Sequence, residues 1–343
     1  MKQFDKNILD VIGNTPIIKL NKVATGVASS IYVKLEYLNP GGSIKDRMGV
    51  YLCEQAVKRG DLKPGGTIVE STSGNTGVGI ALFAAINGYK CVFVMADKQS
   101  QEKIDNLKSF GAKVLVCPTD VDPEDSRSYY SVAANLANLP NSVFLDQYGN
   151  MDNGQSHFEI IGPEIFEQTK GEFDTLMAGS GTGGTISGCS RYLKPKMPHL
   201  KSVAIDCEGS ILKEYHETGK MGEAYSYLVE GIGEDFLPAN VLFDQIDSMV
   251  RVGDEESFHM TRRLLKEEGI YAGGSSGSAV VGAIRYAESL KKPERILVIL
   301  PDSGNRYASK IYNEAWMQEM GYIKQDTPKD ELDLQIDKIL LNA

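Results

Sequence analysis

The chain has 343 residues, 42% of them hydrophobic and 24% charged, enough to bury a large core and to form two domains. Its 36 basic and 46 acidic residues leave a net charge of −10, which argues against a nucleic-acid or anionic-membrane partner. Met1 to Lys6 opens no apolar run, and the purest apolar segment, Ile80 to Ile86, is too short to cross a bilayer, so neither a secretory signal nor a membrane span is expected. Cys53, Cys91, Cys117, Cys189 and Cys207 form no C-x-x-C pair and read as small core residues in a reducing cytoplasm. The four histidines lack metal-ligand spacing, and no metal is expected.

In chain order, Ile31 to Glu36 reads as a strand that Gly41-Gly42 breaks. Ser43 is placed to cap a helix that starts at Ile44 and stops at Gly60. Thr67 to Glu70 is a short buried strand, and a helix through Ala81 to Ile86 ends at Asn87-Gly88. Cys91 to Met95 is a strand, Ser100 caps a helix ending at Gly111, and Lys113 to Val116 is the next strand. Such βα units with continuously apolar strands predict an α/β fold of mostly parallel sheet flanked by helices.

After Val143 to Leu145, the polar stretch Asp146 to Gly154 marks a domain junction. A second βα series follows: strand Asp174 to Ala178, a Gly-rich loop, a helix, then strand Ser202 to Asp206. Asp254 is expected to cap a helix that Gly269 ends, and Ile296 to Leu300 is a last buried strand. Gly209 to Asp247 has no regular pattern. Thr327-Pro328 starts a tail helix with Leu332, Ile336, Ile339 and Leu340 on one face, a docked structural element.

Chemistry concentrates at loops. Lys45 is predicted in the first turn of its helix, at the positive end of the helix dipole, where an extra cation is disfavoured. A lysine held there is tuned towards the neutral amine that attacks carbonyls; the plainer reading is a solvated lysine beside Asp46 and Arg47. Four small-residue loops are read as following strands: Ser71 to Gly77, Gly179 to Gly184, Gly273 to Ser278 and Pro301 to Asn305. In an open α/β sheet such loops line the ligand crevice.

Gly181-Thr182-Gly183-Gly184-Thr185, between a strand and a helix, suits a phosphate held by amides, hydroxyls and the helix dipole. Gly179-x-Gly181-x-x-Gly184 equally satisfies a dinucleotide fingerprint, with Asp206 or Glu208 where a ribose-binding acid belongs, so a nicotinamide dehydrogenase stands as an alternative. It leaves Lys45 and the Ser71 to Thr76 loop unexplained. That loop, with four hydroxyls and the Asn75 amide at a helix start, suits a carboxylate. Asp302 and Ser303 end the last strand. A serine hydroxyl facing a pyridine nitrogen leaves it neutral and favours elimination and replacement at a β-carbon, whereas a carboxylate would hold it protonated.

Together, Gly41 to Arg47, Ser71 to Gly77, Gly181 to Thr185 and Pro301-Asp302-Ser303 resemble the fold-type II family of pyridoxal-phosphate enzymes, the cysteine synthase and cystathionine β-synthase group. The resemblance runs from about residue 8 to residue 322. It implies a fold like that of the tryptophan synthase β chain: a smaller domain over 46–150, a larger cofactor domain over 1–45 and 151–325, an active site in the cleft between them, and a helical tail over 326–343. By the same resemblance Lys45 forms the Schiff base with pyridoxal 5′-phosphate and moves the proton. Asn75 meets the ring hydroxyl, Gly181, Thr182, Gly183, Gly184 and Thr185 hold the phosphate, and Ser303 meets the ring nitrogen. Thr72, Ser73, Thr76 and Gln147 would take the substrate carboxylate.

Asp146-Gln147-Tyr148, Glu230-Gly231-Ile232-Gly233 with Asp235-Phe236, and Trp316-Met317 look closer to the cystathionine β-synthases, which puts Tyr148 and Glu230 beside the second substrate. Without the family, Tyr148 reads as a core tyrosine and Glu230 as a surface carboxylate. The pattern departs in having no haem-binding segment at its start, no regulatory domain pair at its end, and Glu234 at an expected aromatic position. The expectation is therefore a cytoplasmic, homodimeric enzyme acting on small amino-acid and thiol substrates. It replaces the β-substituent of serine or an O-acylated serine with homocysteine to give cystathionine; alternatives are sulfide as acceptor, or cysteine as donor with release of sulfide. An amino-acid sensor that has kept the fold is a further alternative, which the intact Lys45 opposes.

Overall fold

Two sheets form from short apolar runs of strand length. A computed structural model of the chain describes residues 7–97, 99–118, 120–121, 124–324 and 335–336. The strands are β1 (Ile17–Lys19), β2 (Ser30–Leu35), β3 (Thr67–Ser71), β4 (Lys90–Ala96), β5 (Lys113–Cys117) and β6 (Ser142–Phe144). They continue with β7 (Thr175–Gly179), β8 (Lys201–Cys207), β9 (Ser248–Val252) and β10 (Arg295–Leu300). The helices are α1 (Lys45–Arg59), α2 (Asn75–Asn87), α3 (Gln101–Ser109), α4 (Tyr129–Leu136), α5 (Asp152–Ser156) and α6 (Gly162–Thr169). Then come α7 (Gly184–Leu193), α8 (Leu212–Thr218), α9 (Asp254–Glu268), α10 (Gly274–Ser289) and α11 (Glu314–Glu319).

One sheet has six strands in the order β1-β2-β10-β7-β8-β9, parallel except for β1 against β2; the other has four, β5-β4-β3-β6, all parallel. The expected α/β class holds, because strands this apolar need helices on their faces. Both sheets lie in one compact unit, Met1–Arg306, and Tyr307–Ala343 form a second. In that second unit, the Asn313 side chain accepts from the Trp316 N–H and caps α11. Apart from Gln335 and Ile336, the expected tail helix lies outside the described residues.

Each sheet has its own core. Around the smaller sheet pack Ile68, Ile80, Phe93 and Leu107, with Met48 and Leu52 from α1. Around the larger pack Leu176, Ile186, Ala204 and Leu297, with Ile44. The chain therefore passes from one core to the other between Ile44 and Met48, and Lys45 sits at the crossing. All five cysteines are buried and free, as small core residues should be.

Local details differ from expectation at several points. Helix α1 starts at Lys45 with Ile44 as N-cap and no side-chain cap; the Ser43 hydroxyl instead accepts from the Lys45 N–H (3.2 Å), because Ser43 is drawn into a bridge with Asp302. Asp254 is the first residue of α9, and its carboxylate accepts from the Leu228 and Val229 N–H groups, while Glu256 reaches back to the Gly253 N–H. Gly273 to Ser278 is no loop after a strand: it opens α10, directly after α9. The unpatterned stretch Gly209 to Asp247 holds α8 and otherwise runs irregularly.

Candidate active site

Two glycines set the first turn of α1 against α2. A Cβ at Gly79 would lie 2.6 Å from the Lys45 carbonyl oxygen, and one at Gly49 would lie 3.0 Å from the Gly79 carbonyl carbon. Only glycine lets the two backbones approach so closely, and the approach lines Lys45 up with the start of α2. Upstream, Gly42 takes φ +82, a left-handed conformation that glycine adopts without strain, and turns the chain alongside β10. The Ile44 N–H donates to the Pro301 carbonyl (2.8 Å), the Ser303 N–H to the Gly42 carbonyl (3.0 Å), and the Arg306 guanidinium to the Gly41 carbonyl (2.5 Å). Ser303 is thus pinned to the loop that presents Lys45.

Burial pushes the Lys45 ammonium down to about 8, against the opposing charge of Glu234. Its Nζ lies 3.5 Å from Thr182 Oγ1. Asp46 and Arg47, expected beside it at a solvated surface, are both buried. Asp46 accepts from the Gly41 N–H (2.6 Å), and burial raises its carboxyl to about 7 despite that bond. Arg47 donates to Glu36 (2.8 Å) and Glu164 (2.6 Å).

At the start of α2, Gly74 is the N-cap and no side chain caps the helix. Thr72 Oγ1 accepts from the Gly74 N–H (3.0 Å), and Ser73 is exposed. Asn75 Nδ2 donates to Asp302 Oδ2 (2.9 Å), which fixes the amide and leaves its buried Oδ1 without a hydrogen-bond partner among the described residues. The Thr76 hydroxyl donates to Gln147 Oε1 (2.7 Å), and Gln147 Nε2 donates to the Ser71 carbonyl (2.8 Å). Asn153 then joins the two halves: its Nδ2 donates to the Gln147 carbonyl (2.8 Å) and to Thr182 Oγ1 (3.0 Å). One chain of hydrogen bonds runs from Thr76 through Gln147 and Asn153 to Thr182, within reach of Lys45.

Gly181 to Thr185 lie at the carboxyl end of β7, as expected, and Gly183 (φ +85) is the N-cap of α7 with no side-chain cap. The glycines here make room for protein. A Cβ at Gly181 would lie 2.7 Å from the Gly231 carbonyl oxygen, one at Gly183 would lie 2.6 Å from Val241, and one at Gly184 would overlap the Asn153 amide. The hydroxyl of Ser180, fully buried, has no hydrogen-bond partner among the described residues. Thr185 Oγ1 lies 3.4 Å from Nε2 of His157, a buried histidine in a π-helical turn over His157–Ile161. Burial, with the charges of Lys45 and Arg47, holds this imidazole well below its usual range, so it is neutral. Of the two acids the dinucleotide alternative named, Asp206 is buried and accepts from the Lys213 (2.8 Å) and Cys207 (3.0 Å) N–H groups, and Glu208 is exposed.

The irregular stretch after β8 supplies one wall. Tyr148 packs edge-on against Phe236 (ring centroids 5.3 Å apart) and Tyr130 (6.2 Å), and burial, then the Glu234 charge, push its phenol well up. The Asn240 amide donates to the Tyr148 carbonyl (3.1 Å). Glu230 is neither a free surface carboxylate nor alone: it forms an ion pair with Lys103 of α3. Lys103, Asn153 and His157 escaped the sequence reading. None belongs to a local motif, and each acquires its place from a partner more than 25 residues away, at Glu230, Thr182 and Thr185.

Comparison with known proteins identifies the family. The sequence pattern of the family described as "Pyridoxal-phosphate dependent enzyme" matches residues 8–302. The chain is 44% identical over 323 residues to cystathionine beta-synthase of Mus musculus, covering 93% of this chain and 57% of the mouse protein. It thus spans little more than half the length of that relative. It is 40% identical over 304 residues to cysteine synthase of Staphylococcus aureus, covering 88% of this chain and 95% of that one. Among solved structures, the O-acetylserine dependent cystathionine beta-synthase of Helicobacter pylori superposes with a TM-score of 0.83 at 37% identity, covering 91% of this chain and all of that one (100%). With its family pattern matched over most of its length and its helix-start lysine set between two parallel sheets, this chain belongs to the pyridoxal-phosphate dependent enzymes.

Proposed function

We propose that the protein replaces the β-substituent of serine or an O-acylated serine with a thiol, and that homocysteine is the thiol, giving cystathionine. The observation that carries this reading is the desolvated amine of Lys45 at the crossing of two cores, 3.5 Å from Thr182 Oγ1; the reading puts Asn75 and Ser303 beside it and a second polar wall at Tyr148 and Glu230. Sulfide needs no such wall; an acceptor with its own amino and carboxylate groups does. The likeness to the Staphylococcus aureus cysteine synthase supports the second reading, sulfide as acceptor. Cysteine as donor, with sulfide released, remains within the same chemistry.

The residues fit pyridoxal phosphate. Among the described residues the buried Asn75 Oδ1 and the buried Ser180 hydroxyl have no hydrogen-bond partners, and α7 begins without a side-chain cap, leaving first-turn amides for an anion. Gly181, Thr182, Gly183, Gly184 and Thr185 would hold the phosphate, with neutral His157 steadying the Thr185 hydroxyl. Asn75 would meet the ring hydroxyl and Ser303 the ring nitrogen. When bound, this group withdraws electrons from the α-carbon of an amino acid and so makes its proton acidic.

The protein's own part is to hold and to move protons. Lys45 would hold the group and, with its amine held near pKa 8, take and return the α-proton at Nζ. Thr72, Ser73, Thr76 and Gln147 would orient the donor's carboxylate. Tyr148 would exclude water with its aromatic neighbours and, with Glu230, orient the acceptor. The reading divides the chain into a smaller domain over 46–150, a larger cofactor domain over 1–45 and 151–325 and a tail over 326–343, and takes the protein as a cytoplasmic homodimer. Incubating the purified protein with each pairing of serine, O-acetylserine or cysteine with homocysteine or sulfide, and identifying products by mass, tests it. Cystathionine as the main product supports the reading, and cysteine formed from sulfide alone replaces it.

A further inference from the structure

Lys103 and Glu230 come from opposite sides of the candidate site. Lys103 is on the first turn of α3, beside the smaller sheet, and its stem lies over the turn that starts α2: a Cβ at Gly74 would sit 3.3 Å from Lys103 Cδ and 3.5 Å from Cγ. Glu230 is on the turn that packs on Gly181, whose added Cβ would meet the Gly231 carbonyl oxygen. Their side chains are only 4% and 19% exposed and form an ion pair across this gap. The pair thus bridges the carboxylate-suited loop at Gly74 and the phosphate-suited loop at Gly181.

A buried ion pair adds little net stability, because desolvation offsets the attraction, but stripping one partner from it is costly. Such a pair exchanges at low cost only for a ligand that satisfies both charges together. A zwitterionic amino acid does so, with its ammonium on the carboxylate and its carboxylate on the lysine. A thiol lacking either group leaves Lys103 or Glu230 without an ionic counterpart from the ligand. We propose that Lys103 and Glu230 form the recognition site for an amino-acid acceptor, Glu230 taking its α-ammonium and Lys103 its α-carboxylate as the ion pair opens. This deepens, and rests on, the reading of homocysteine as acceptor. It assigns Lys103 a specificity role that no local motif marks.

The test is steady-state kinetics of the holoenzyme at fixed donor with three acceptors: homocysteine, 4-mercaptobutyrate (homocysteine without its amino group) and sulfide. Wild type should prefer homocysteine to 4-mercaptobutyrate by about tenfold or more in kcat/KM. Lys103→Gln should lower the homocysteine-to-sulfide ratio of kcat/KM about tenfold, mainly through the KM for homocysteine, and Lys103→Arg should restore most of it. Glu230→Gln should narrow the gap between homocysteine and 4-mercaptobutyrate. Equal use of those two thiols by wild type overturns the proposal without any variant. A Lys103→Gln protein that loses homocysteine and sulfide activity in equal proportion also overturns it and leaves the homocysteine reading standing. A wild type that uses sulfide and neither larger thiol overturns that reading itself.

Discussion

Two cations two residues apart on α1 face regions built on opposite principles. Arg47 points into a largely buried ionic cluster, where Glu36 and Glu164 each accept two hydrogen bonds from it and Lys34 shares Glu164 (2.6 Å). Burial works against its charge, and the two carboxylates outweigh burial and raise its pKa. At Lys45, burial is opposed but not overcome by the charge of Glu234, and the amine falls to about 8. The same helix turn thus carries a cation whose charge is locked and one whose charge is loose. Reactivity here is a matter of what is withheld from a buried cation, since a fully paired lysine could not give up its proton near neutral pH.

Breaking the loose side should have the largest effect on turnover. Lys45→Ala should reduce turnover about a thousandfold or more and abolish the absorbance of lysine-bound cofactor, while far-ultraviolet circular dichroism is unchanged. A variant that reacts near the wild-type rate would remove Lys45 from the chemistry. Breaking the locked side should act on stability. Arg47→Met removes the arginine that Glu36 and Glu164 share and leaves Lys34 to face both carboxylates, and should lower the unfolding free energy by about 3 kcal/mol in urea titrations.

The pH dependence sharpens the contrast. Burial pushes the Glu164 carboxyl up, but the hydrogen bonds and charges of Arg47 and Lys34 outweigh it and hold it at about 2. A carboxyl depressed in the folded state stabilises above its ordinary pKa, and that stability fades as pH falls through the window down to about 2. Wild type should therefore lose stability on the acid side over this window, and Arg47→Met should lose much less there. A parallel acid-side loss in the two proteins would show that Glu164 is not held by Arg47.

Within the cleft, the acceptor wall should give the next effect. Glu230→Ala or Tyr148→Phe should weaken reaction with homocysteine relative to sulfide by about ten- to a hundredfold in kcat/KM, the worth of one hydrogen bond to a charged group, roughly 1.5–3 kcal/mol. An unmoved ratio would assign the wall to packing. The smallest effect is expected at Ser303. Ser303→Asp should slow β-replacement about tenfold and shift the cofactor spectrum, because a carboxylate raises the proton affinity of a pyridine nitrogen, whereas Ser303→Ala should cost about twofold. Equal effects of both substitutions would place Ser303 away from the ring.

The α/β class, most strands and helices, and the loops after β3, β7 and β10 were legible in the sequence because each is written locally: an apolar run of strand length, a capping residue, a glycine where the chain turns. Helix α10 was not. Gly273-Gly274-Ser275-Ser276-Gly277-Ser278 has poor helix propensity and reads as a loop. It is helical because α9 packs on it so closely that a Cβ at Gly277 would overlap the Ser257 carbonyl and the Thr261 hydroxyl, while Ser278 Oγ donates to Ser257 Oγ (2.7 Å). Small residues that weaken an isolated helix are what a close helix pair requires.

The sequence by itself determined which side chains are available and where the chain turns: Lys45 at a helix start, the hydroxyls of Ser71 to Thr76, the glycines of Gly181 to Gly184, and Ser303 at a strand end. Tertiary structure alone decided their electrical condition. Whether a lysine is solvated or reactive, a carboxylate free or paired with Lys103, or a histidine charged or neutral depends on groups brought together from distant parts of the chain. Burial and Coulomb interaction act through space, and local sequence holds no record of them.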